Sequence, residues 1–293
     1  MDYRLAKLVL FIRKKYNSDT DPFAQHLDIL QAHLEDLWGY FKDYAEPNFA
    51  GDFTNGYEAS LCQRYWEMYL TAKYLKLGFK IKKYPDGGPD IGLETNQGII
   101  WIEAVTPSLG KDNELLEFYK SSSEPKLYKV PHEKLTLRVT NAVTNKIKQR
   151  NNFIKNRPET ANDPYIIAIN STLLGHYGYH DISQYPRVFA AAHGAGAIAI
   201  PINPKTMEYG EPHISYRETI AKENGELVDA ALFDKDELKT ISGFITTDIH
   251  LLHSTNSSFM RRFSNGEVFI PNPNAYHPII DPALIADEIL DIN

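Results

Sequence analysis

Two carboxylates of the chain, Asp90 and Glu103, are spaced to hold one divalent metal ion. Asp90 ends the tight turn GGPD at the start of a predicted strand, and Glu103 lies near the end of the next strand. A short hairpin joins the two strands, so we expect the carboxylates to meet. Carboxylates a few ångströms apart repel each other unless a cation lies between them, and such oxygen ligands suit Mg²⁺ or Mn²⁺.

The surroundings of Glu103 strengthen this expectation. Glu103 interrupts the segment GIIWIEAV, residues 98–105, which is otherwise apolar on both faces. A buried carboxylate without a partner is strongly unfavourable, so Glu103 needs either a cation or a hydrogen-bonded ion pair. A metal site and a purely structural salt bridge both satisfy this requirement, and the strand alone does not choose between them.

The elements that must position these residues follow from hydrophobic periodicity. Residues 3–16 and 22–45 have helical spacing, separated by the break SDTDP, and we treat residues 1–50 as an N-terminal helical layer on an α/β domain of residues 51–293. Tyr57–Leu77 is predicted as one long, largely buried helix that Gly78 ends. The remaining predictions are three strands in a meander (79–84, 91–94 and 98–105), a helix (133–152), a buried strand (165–169), three further strands (197–202, 241–249 and 268–270) and a short last helix (281–290).

The order helix, strand, PD-strand, E-strand, helix, strand resembles the PD-(D/E)xK, or restriction-endonuclease-like, nuclease superfamily. The motif is written here as Pro89-Asp90, twelve intervening residues, then Glu103-Ala104-Val105, and the resemblance covers about residues 55–171. It implies that Asp90, Glu103 and the backbone carbonyl of Ala104 bind Mg²⁺ or Mn²⁺. It also implies a nucleic-acid substrate, with DNA the expected polymer.

The chain departs from this pattern at the motif lysine, whose place is taken by Val105. Some members of the superfamily supply the lysine from the following helix, and Lys146 has the spacing from Val139 and Val143 that turns it toward the sheet. Lys111 and Lys148 are poorer candidates. A side chain that only extends from the edge of the apolar stripe to solvent is the alternative for Lys146.

The resemblance also implies an acidic residue in the first core helix. Glu58 and Glu67 both lie there, nine positions apart, so they face opposite sides of the helix and only one can join the site. We favour Glu58, at the helix N-terminus, although an ordinary capping-region carboxylate is the alternative. Gln149 is a weaker polar candidate on the later helix.

Composition limits the classes of protein and partner. Lys and Arg total 31 against 38 Asp and Glu, a net charge of −7, which argues against a generally cationic nucleic-acid-binding surface. One segment, residues 134–157, nevertheless carries seven cations and no acid, typical either of a phosphate-binding surface or of a solvated helix face. The single cysteine, Cys62, and the lack of a run of roughly 18 apolar residues favour a cytoplasmic protein without a membrane partner.

Other motifs carry weaker signals. His176 and His180, and His250 and His253, have spacings that could bind zinc, but the first pair lies in a probable-loop sequence containing glycine. Tyr177, Tyr179 and Tyr185 beside Arg187 could stack on bases, although packing explains them more simply. The GxxxxGK(S/T), GxGxxG and GxSxG patterns do not occur.

The leading hypothesis is therefore a metal-dependent nuclease in which Asp90 and Glu103 bind the metal, with Lys146 and Glu58 as catalytic helpers. The alternative is a non-catalytic binding or interaction module, such as an effector or defence component, on a degenerate nuclease fold. Neither the oligomeric state nor the role of the C-terminal third follows from the sequence.

Overall fold

The fold was analysed in a computed structural model of the chain. The structure describes residues 2–17, 26–84, 87–96, 98–111, 115, 129–175, 179–183, 185–222, 224–252 and 266–290. No helix among these residues is both long enough and apolar enough to span a membrane.

The α-helices in the described part of the chain lie where the sequence has apolar residues at helical spacing. Helix α4 ends at Lys76, and Gly78, which has a positive φ, follows two residues later and stops the helix, as the sequence predicts. The helices are α1 (Tyr3–Tyr16), α2 (Leu27–Phe41), α3 (Phe49–Phe53), α4 (Glu58–Lys76), α5 (His132–Asn156) and α6 (Arg187–His193).

The strands form one large mixed sheet and two small hairpins. The large sheet has the order β1-β2-β3-β4-β9-β10-β11, with β3, β4 and β9 parallel to one another at its centre. The strands are β1 (Lys80–Lys82), β2 (Ile91–Thr95), β3 (Gly98–Val105), β4 (Tyr165–Asn170), β5 (Ala195–Ala199), β6 (His213–Tyr216), β7 (Thr219–Ala221), β8 (Leu227–Asp229), β9 (Gly243–Thr247), β10 (Val268–Pro271) and β11 (Glu288–Ile289).

The two faces of the large sheet are covered by different helices, which explains why its central strands are apolar throughout. Alternate residues of β3 divide between the faces: Ile102 packs in the core beneath α4, and Trp101 packs in the core beneath α5. Glu103 has the same parity as Trp101, so it points to the α5 side. This parity brings the candidate carboxylate toward the helix that carries Lys146.

The N-terminal helices form a layer outside α4. Leu8, Leu34 and Phe53 lie in one apolar cluster with Leu61 and Met68 of α4, so this layer shares a core with the α/β part of the chain. The helix α4 is therefore buried on two sides, as its apolar composition predicts.

Most predicted elements are confirmed, with three corrections. The helix predicted for residues 22–45 covers only Leu27–Phe41, while residues 18–25 lie outside the described ranges. The strand predicted for 197–202 is Ala195–Ala199. The last helix is wrong: Pro282–Leu284 makes one 3₁₀ turn, and Glu288–Ile289 pairs in parallel with β10, which supplies the backbone hydrogen bonds that a short helix would leave unmade.

Candidate metal centre

The hairpin of β2 and β3 brings Asp90 and Glu103 to the same edge of the sheet. Ile91 is paired with Ile102, so Asp90, one residue before, lies opposite Glu103, one residue after. The residue Asp90 keeps some solvent exposure, but its carboxylate is enclosed, and Oδ2 accepts a hydrogen bond of 2.7 Å from the backbone N–H of Ala104. This bond fixes the Asp90 carboxylate against the end of β3.

Helix α5 places a lysine beside Glu103. The Nζ of Lys146 lies 2.5 Å from Oε1 of Glu103, and the hydroxyl of Tyr165, at the start of β4, donates to Oε2 at 3.3 Å. Glu103 is 7% exposed, so both partners act on a carboxylate that water hardly reaches. Val105, two residues after Glu103, carries no charge, and the lysine that contacts Glu103 comes from α5.

Helix α4 contributes a second polar pair at the same place. Gln63 donates from Nε2 to the carbonyl oxygen of Ala104 at 3.2 Å and accepts at Oε1 from the backbone N–H of Thr106 at 2.8 Å. The same Nε2 also donates to Glu67 at 2.9 Å. Glu67 is in turn held by Arg64 at 2.7 Å. Gln63 therefore hydrogen-bonds the backbone at the end of β3 and links that backbone to Glu67.

Burial and nearby carboxylates raise the pKa of Asp90 and of Glu103. Burial raises the pKa of Asp90 well above its usual value, and the charges of Glu103 and Glu67 raise it further. Burial also raises the pKa of Glu103, although the ion pair and hydrogen bond with Lys146 oppose this change. Burial lowers the pKa of Lys146, but the charges of Glu103 and Asp90 outweigh it, and the net shift is upward. Lys146 is therefore held in its protonated form. Its single positive charge does not balance the negative charges of Asp90 and Glu103.

This donor set fits a hard divalent cation. Carboxylate oxygens of Asp90 and Glu103 are ligands that Mg²⁺ and Mn²⁺ prefer. The carbonyl oxygen of Ala104 retains a second lone pair beyond the one used by Gln63. The hydroxyl of Thr106 is buried and has no hydrogen-bond partner among the described residues. Buried polar groups are normally hydrogen-bonded, so this hydroxyl is available to a bound ligand or water.

A cavity of about 530 Å³ opens beside Glu103. Its volume lies within the range of about 300–1,000 Å³ that is usual for ligand sites. Gly88 lets the turn before Asp90 approach α5, because a Cβ there would lie 3.1 Å from the ring of Phe153 and the residue has φ +153°. The lining residues are Gly87, Gly88, Pro89, Glu103, Gln149, Asn152, Phe153, Asn156, Arg157 and Tyr165.

The structure brings Glu67, and not the favoured Glu58, to the two carboxylates. Glu58 lies in a separate group of side chains, where it pairs with Lys15 at 2.7 Å and His250 at 3.4 Å and is 3.9 Å from the sulfur of Cys62. The reason is helix geometry: nine positions turn the two glutamates to opposite sides of α4. We call Glu58, Lys15, Cys62 and His250 the Glu58 cluster.

The basic segment of α5 does not form one surface. Arg150 is fully buried; its guanidinium lies 4.5 Å from the ring centroid of Tyr165 and donates to the carbonyl oxygen of Thr160 at 2.8 Å. Arg150 is therefore removed from the residues that could contact phosphate. Lys148 is exposed, as its position away from the apolar stripe predicts, and Lys111 is exposed in a turn after β3.

Most of the aromatic and histidine candidates are packed in the interior or lie outside the described residues. Tyr179 is buried, and Arg187 is fully buried in an ion pair of 2.8 Å with Asp181, so packing accounts for both. Tyr185 stacks on Phe189 with centroids 4.6 Å apart. Tyr177, His176 and His253 lie outside the described residues.

Sequence reasoning missed Gln63 and Tyr165 and ranked Glu67 second. A usable signal was present, since Gln63 and Glu67 are four residues apart and form the polar stripe of a helix that is otherwise apolar on most sides. For Tyr165 the signal needed the strand register: Tyr165 pairs with Trp101, two residues before Glu103 and on the same face.

Compared with known proteins, the chain matches no family model, no curated protein and no solved structure.

Proposed function

We propose that the protein is a metal-dependent nuclease that hydrolyses phosphodiester bonds of nucleic acid, with DNA as the expected polymer. The observation that carries the proposal is the contact of 2.5 Å between Lys146 and Glu103. A lysine from α5 is thereby available beside the two carboxylates, although the motif position holds Val105. The order α4, β1, β2, β3, α5, β4 supports a restriction-endonuclease-like core around this site.

The residues of the site have separable roles in this proposal. Asp90, Glu103 and the carbonyl oxygen of Ala104 would hold Mg²⁺ or Mn²⁺, which supplies an activated water and neutralises charge on the phosphate. Lys146 would add a fixed positive charge where negative charge develops on the phosphate oxygens. Tyr165 orients Glu103 by its hydrogen bond. Gln63 and Arg64 position Glu67. The negative charge of Glu67 adds to that of Asp90 and Glu103, which makes the binding of a cation more favourable.

The cavity beside Glu103 supports access of a polymer. Its α5 wall carries the amides Gln149, Asn152 and Asn156, which donate and accept hydrogen bonds without charge, and Arg157 at the end of the helix. A nucleotide flanking the scissile phosphate would lie along this wall. Few cations line the cavity, so the metal would provide much of the attraction for the phosphate.

A second candidate function, a non-catalytic binding module, is favoured by the same ion pair. If Lys146 serves only to neutralise Glu103, the pair is a structural salt bridge and no metal is needed. The two readings differ in one measurable property, which is whether a divalent metal binds at Asp90 and Glu103.

The test is a cleavage assay on double-stranded DNA, single-stranded DNA and RNA with Mg²⁺, Mn²⁺ or a chelator. Cleavage should require the metal and should be lost in Glu103→Gln, while Glu58→Gln, on the other side of α4, should retain it. Mn²⁺ titration calorimetry of the same variants separates loss of metal from loss of chemistry. Equal Mn²⁺ binding by wild type, Asp90→Asn and Glu103→Gln, together with no cleavage of any polymer, would favour the binding module.

A further inference from the structure

The chain carries an arm that lies apart from the large sheet. Residues 195–216 form a hairpin of β5 and β6, and backbone bonds beyond the strands, Gly210 N–H to Pro201 and Asn203 N–H to Glu208, extend it to a turn at residues 203–208. Its two strands form a sheet of their own. A two-stranded ribbon cannot cover both of its faces by itself.

One face of this arm is apolar and exposed. Ile198, Ile200 and Ile202 stand at alternate positions of the first strand. Ile198 is paired with Ile214, and Ile202 is bridged to Tyr209. Between these two pairs the second strand has one extra residue, a bulge that keeps Tyr209 and Ile214 on the same face. We call it the arm face, and its large side chains are Ile198, Ile200, Ile202, Tyr209 and Ile214, exposed by 49, 53, 50, 76 and 37%.

The turn of the arm also exposes an apolar side chain, Met207. Met207 is the only non-glycine residue with positive φ among the described residues, at φ 59°, and its side chain is 67% exposed. Such a backbone conformation is unfavourable for a residue with a side chain. Hydrogen bonds within the turn hold this conformation, and the Met207 side chain adds another exposed apolar group to the arm.

We infer that the arm face is the dimer interface of this protein, and that it binds the arm face of a second copy around a two-fold axis. The exposed fractions of its five side chains correspond to roughly 500 Å², within the range of about 300–600 Å² of the largest patch on a typical monomer. Two such faces buried together would remove roughly 1,000 Å², about the area that a specific interface between two proteins needs.

The chemistry of the face selects a second copy over the nucleic acid of the proposed function. Its five side chains carry no charge, whereas a nucleic-acid surface needs lysine or arginine for the phosphates. With a net charge of −7, two copies repel each other at a distance, and an uncharged apolar patch is where they can approach. A patch of aliphatic and aromatic groups is also complementary to itself, which a two-fold interface requires.

The test is the mass of the full chain in solution, by light scattering after size exclusion and by sedimentation equilibrium. Wild type should approach twice 33.4 kDa at micromolar concentrations. Ile200→Lys and, separately, Tyr209→Glu should weaken the dimer by about 30-fold or more, the scale of an interface hot spot. Ile280→Lys is the matched control, since Ile280 is 75% exposed and lies outside the arm.

Thermal unfolding of each variant shows whether the fold is intact, because every substituted side chain is exposed. A wild-type chain that stays monomeric up to several hundred micromolar overturns the inference. So does a dimer that both arm variants leave intact, or one that Ile280→Lys weakens equally. The measurement does not involve cleavage or metal, so its outcome is independent of the nuclease proposal.

Discussion

Helix α4 carries two groups of ionisable side chains whose carboxylates behave in opposite ways. In the Glu58 cluster, hydrogen bonding to His250 and the ion pair with Lys15 lower the pKa of Glu58 to about 2, although burial opposes this. At the candidate metal centre, burial and repulsion by neighbouring carboxylates raise the pKa of Asp90 and Glu103. The first carboxylate has enough positive charge around it, and the second pair does not.

The number of potential metal-binding atoms, taken alone, would place the metal in the Glu58 cluster instead. Donor atoms of Glu58, Cys62 and His250 lie within 4.8 Å of one another, which resembles a three-ligand metal site. However, Nδ1 of His250 accepts the N–H of Leu252, so the neutral ring carries its proton on Nε2, the atom that faces Glu58. Burial also raises the pKa of the Cys62 thiol to about 12. Charge balance therefore predicts the metal at Asp90 and Glu103.

The largest effect should come from removing a carboxylate of the candidate metal centre. Asp90→Asn or Glu103→Gln should abolish Mn²⁺ binding and lower cleavage by about 10³-fold, because the metal supplies most of the charge stabilisation. Calorimetry and single-turnover cleavage check both parts. Glu58→Gln is the control, and if it loses Mn²⁺ binding while Asp90→Asn keeps it, the comparison between the two clusters is reversed.

Removal of Lys146 should separate catalysis from metal binding. Lys146→Met keeps most of the packing of the side chain, and cleavage should fall by about 10²-fold because one fixed charge near the phosphate is lost. Mn²⁺ affinity should stay equal or rise, since the ammonium no longer competes for Glu103. Lys148→Met, exposed on the same helix, should change neither quantity. Cleavage that survives Lys146→Met but not Glu103→Ala would identify a metal nuclease with another helper group.

The pH dependence of stability should differ in sign between the clusters. The pKa of Asp90 is higher in the folded than in the unfolded chain, so the folded state binds more protons, and stability is lost as pH rises from about 3.8 through the raised pKa. Without metal, Asp90→Asn should be more stable than wild type at high pH, and this difference should disappear in acid, where Asp90 is protonated in both states. Melting curves at several pH values measure this difference. Mn²⁺ should reverse it, and a difference that does not change with pH would show that Asp90 carries no such cost.

The smallest effect is expected at Glu58. Its pKa is lower in the folded than in the unfolded chain, so its stabilisation is present above the unfolded value of 4.5 and is lost as pH falls toward about 2. Glu58→Gln should therefore lower the melting temperature slightly at neutral pH, and the loss should fade in acid. The loss is small because the side chain is 43% exposed and solvent screens the ion pair. A variant as stable as wild type at neutral pH would remove Glu58 from the stabilising residues.

The sequence by itself determined the elements of the core and the two strands that carry Asp90 and Glu103. Periodicity located α4, the hairpin of β2 and β3, α5 and β4, because long apolar stripes and runs have few other ways to be buried. It also singled out Glu103, since a carboxylate within the run GIIWIEAV must meet a partner. The spacing of Lys146 from Val139 and Val143 placed it on the sheet side of α5 for the same reason.

Only the tertiary structure decided which residues of different elements meet. The choice of Glu67 over Glu58, the burial of Arg150 and the contact of Tyr165 with Glu103 depend on how α4 and α5 are rotated against the sheet and on strand register. Local propensity does not contain that information. The last segment shows the same limit: pairing with β10 made residues 288–289 a strand where their local sequence favoured a helix, because an open strand edge offers backbone hydrogen bonds that a short helix lacks.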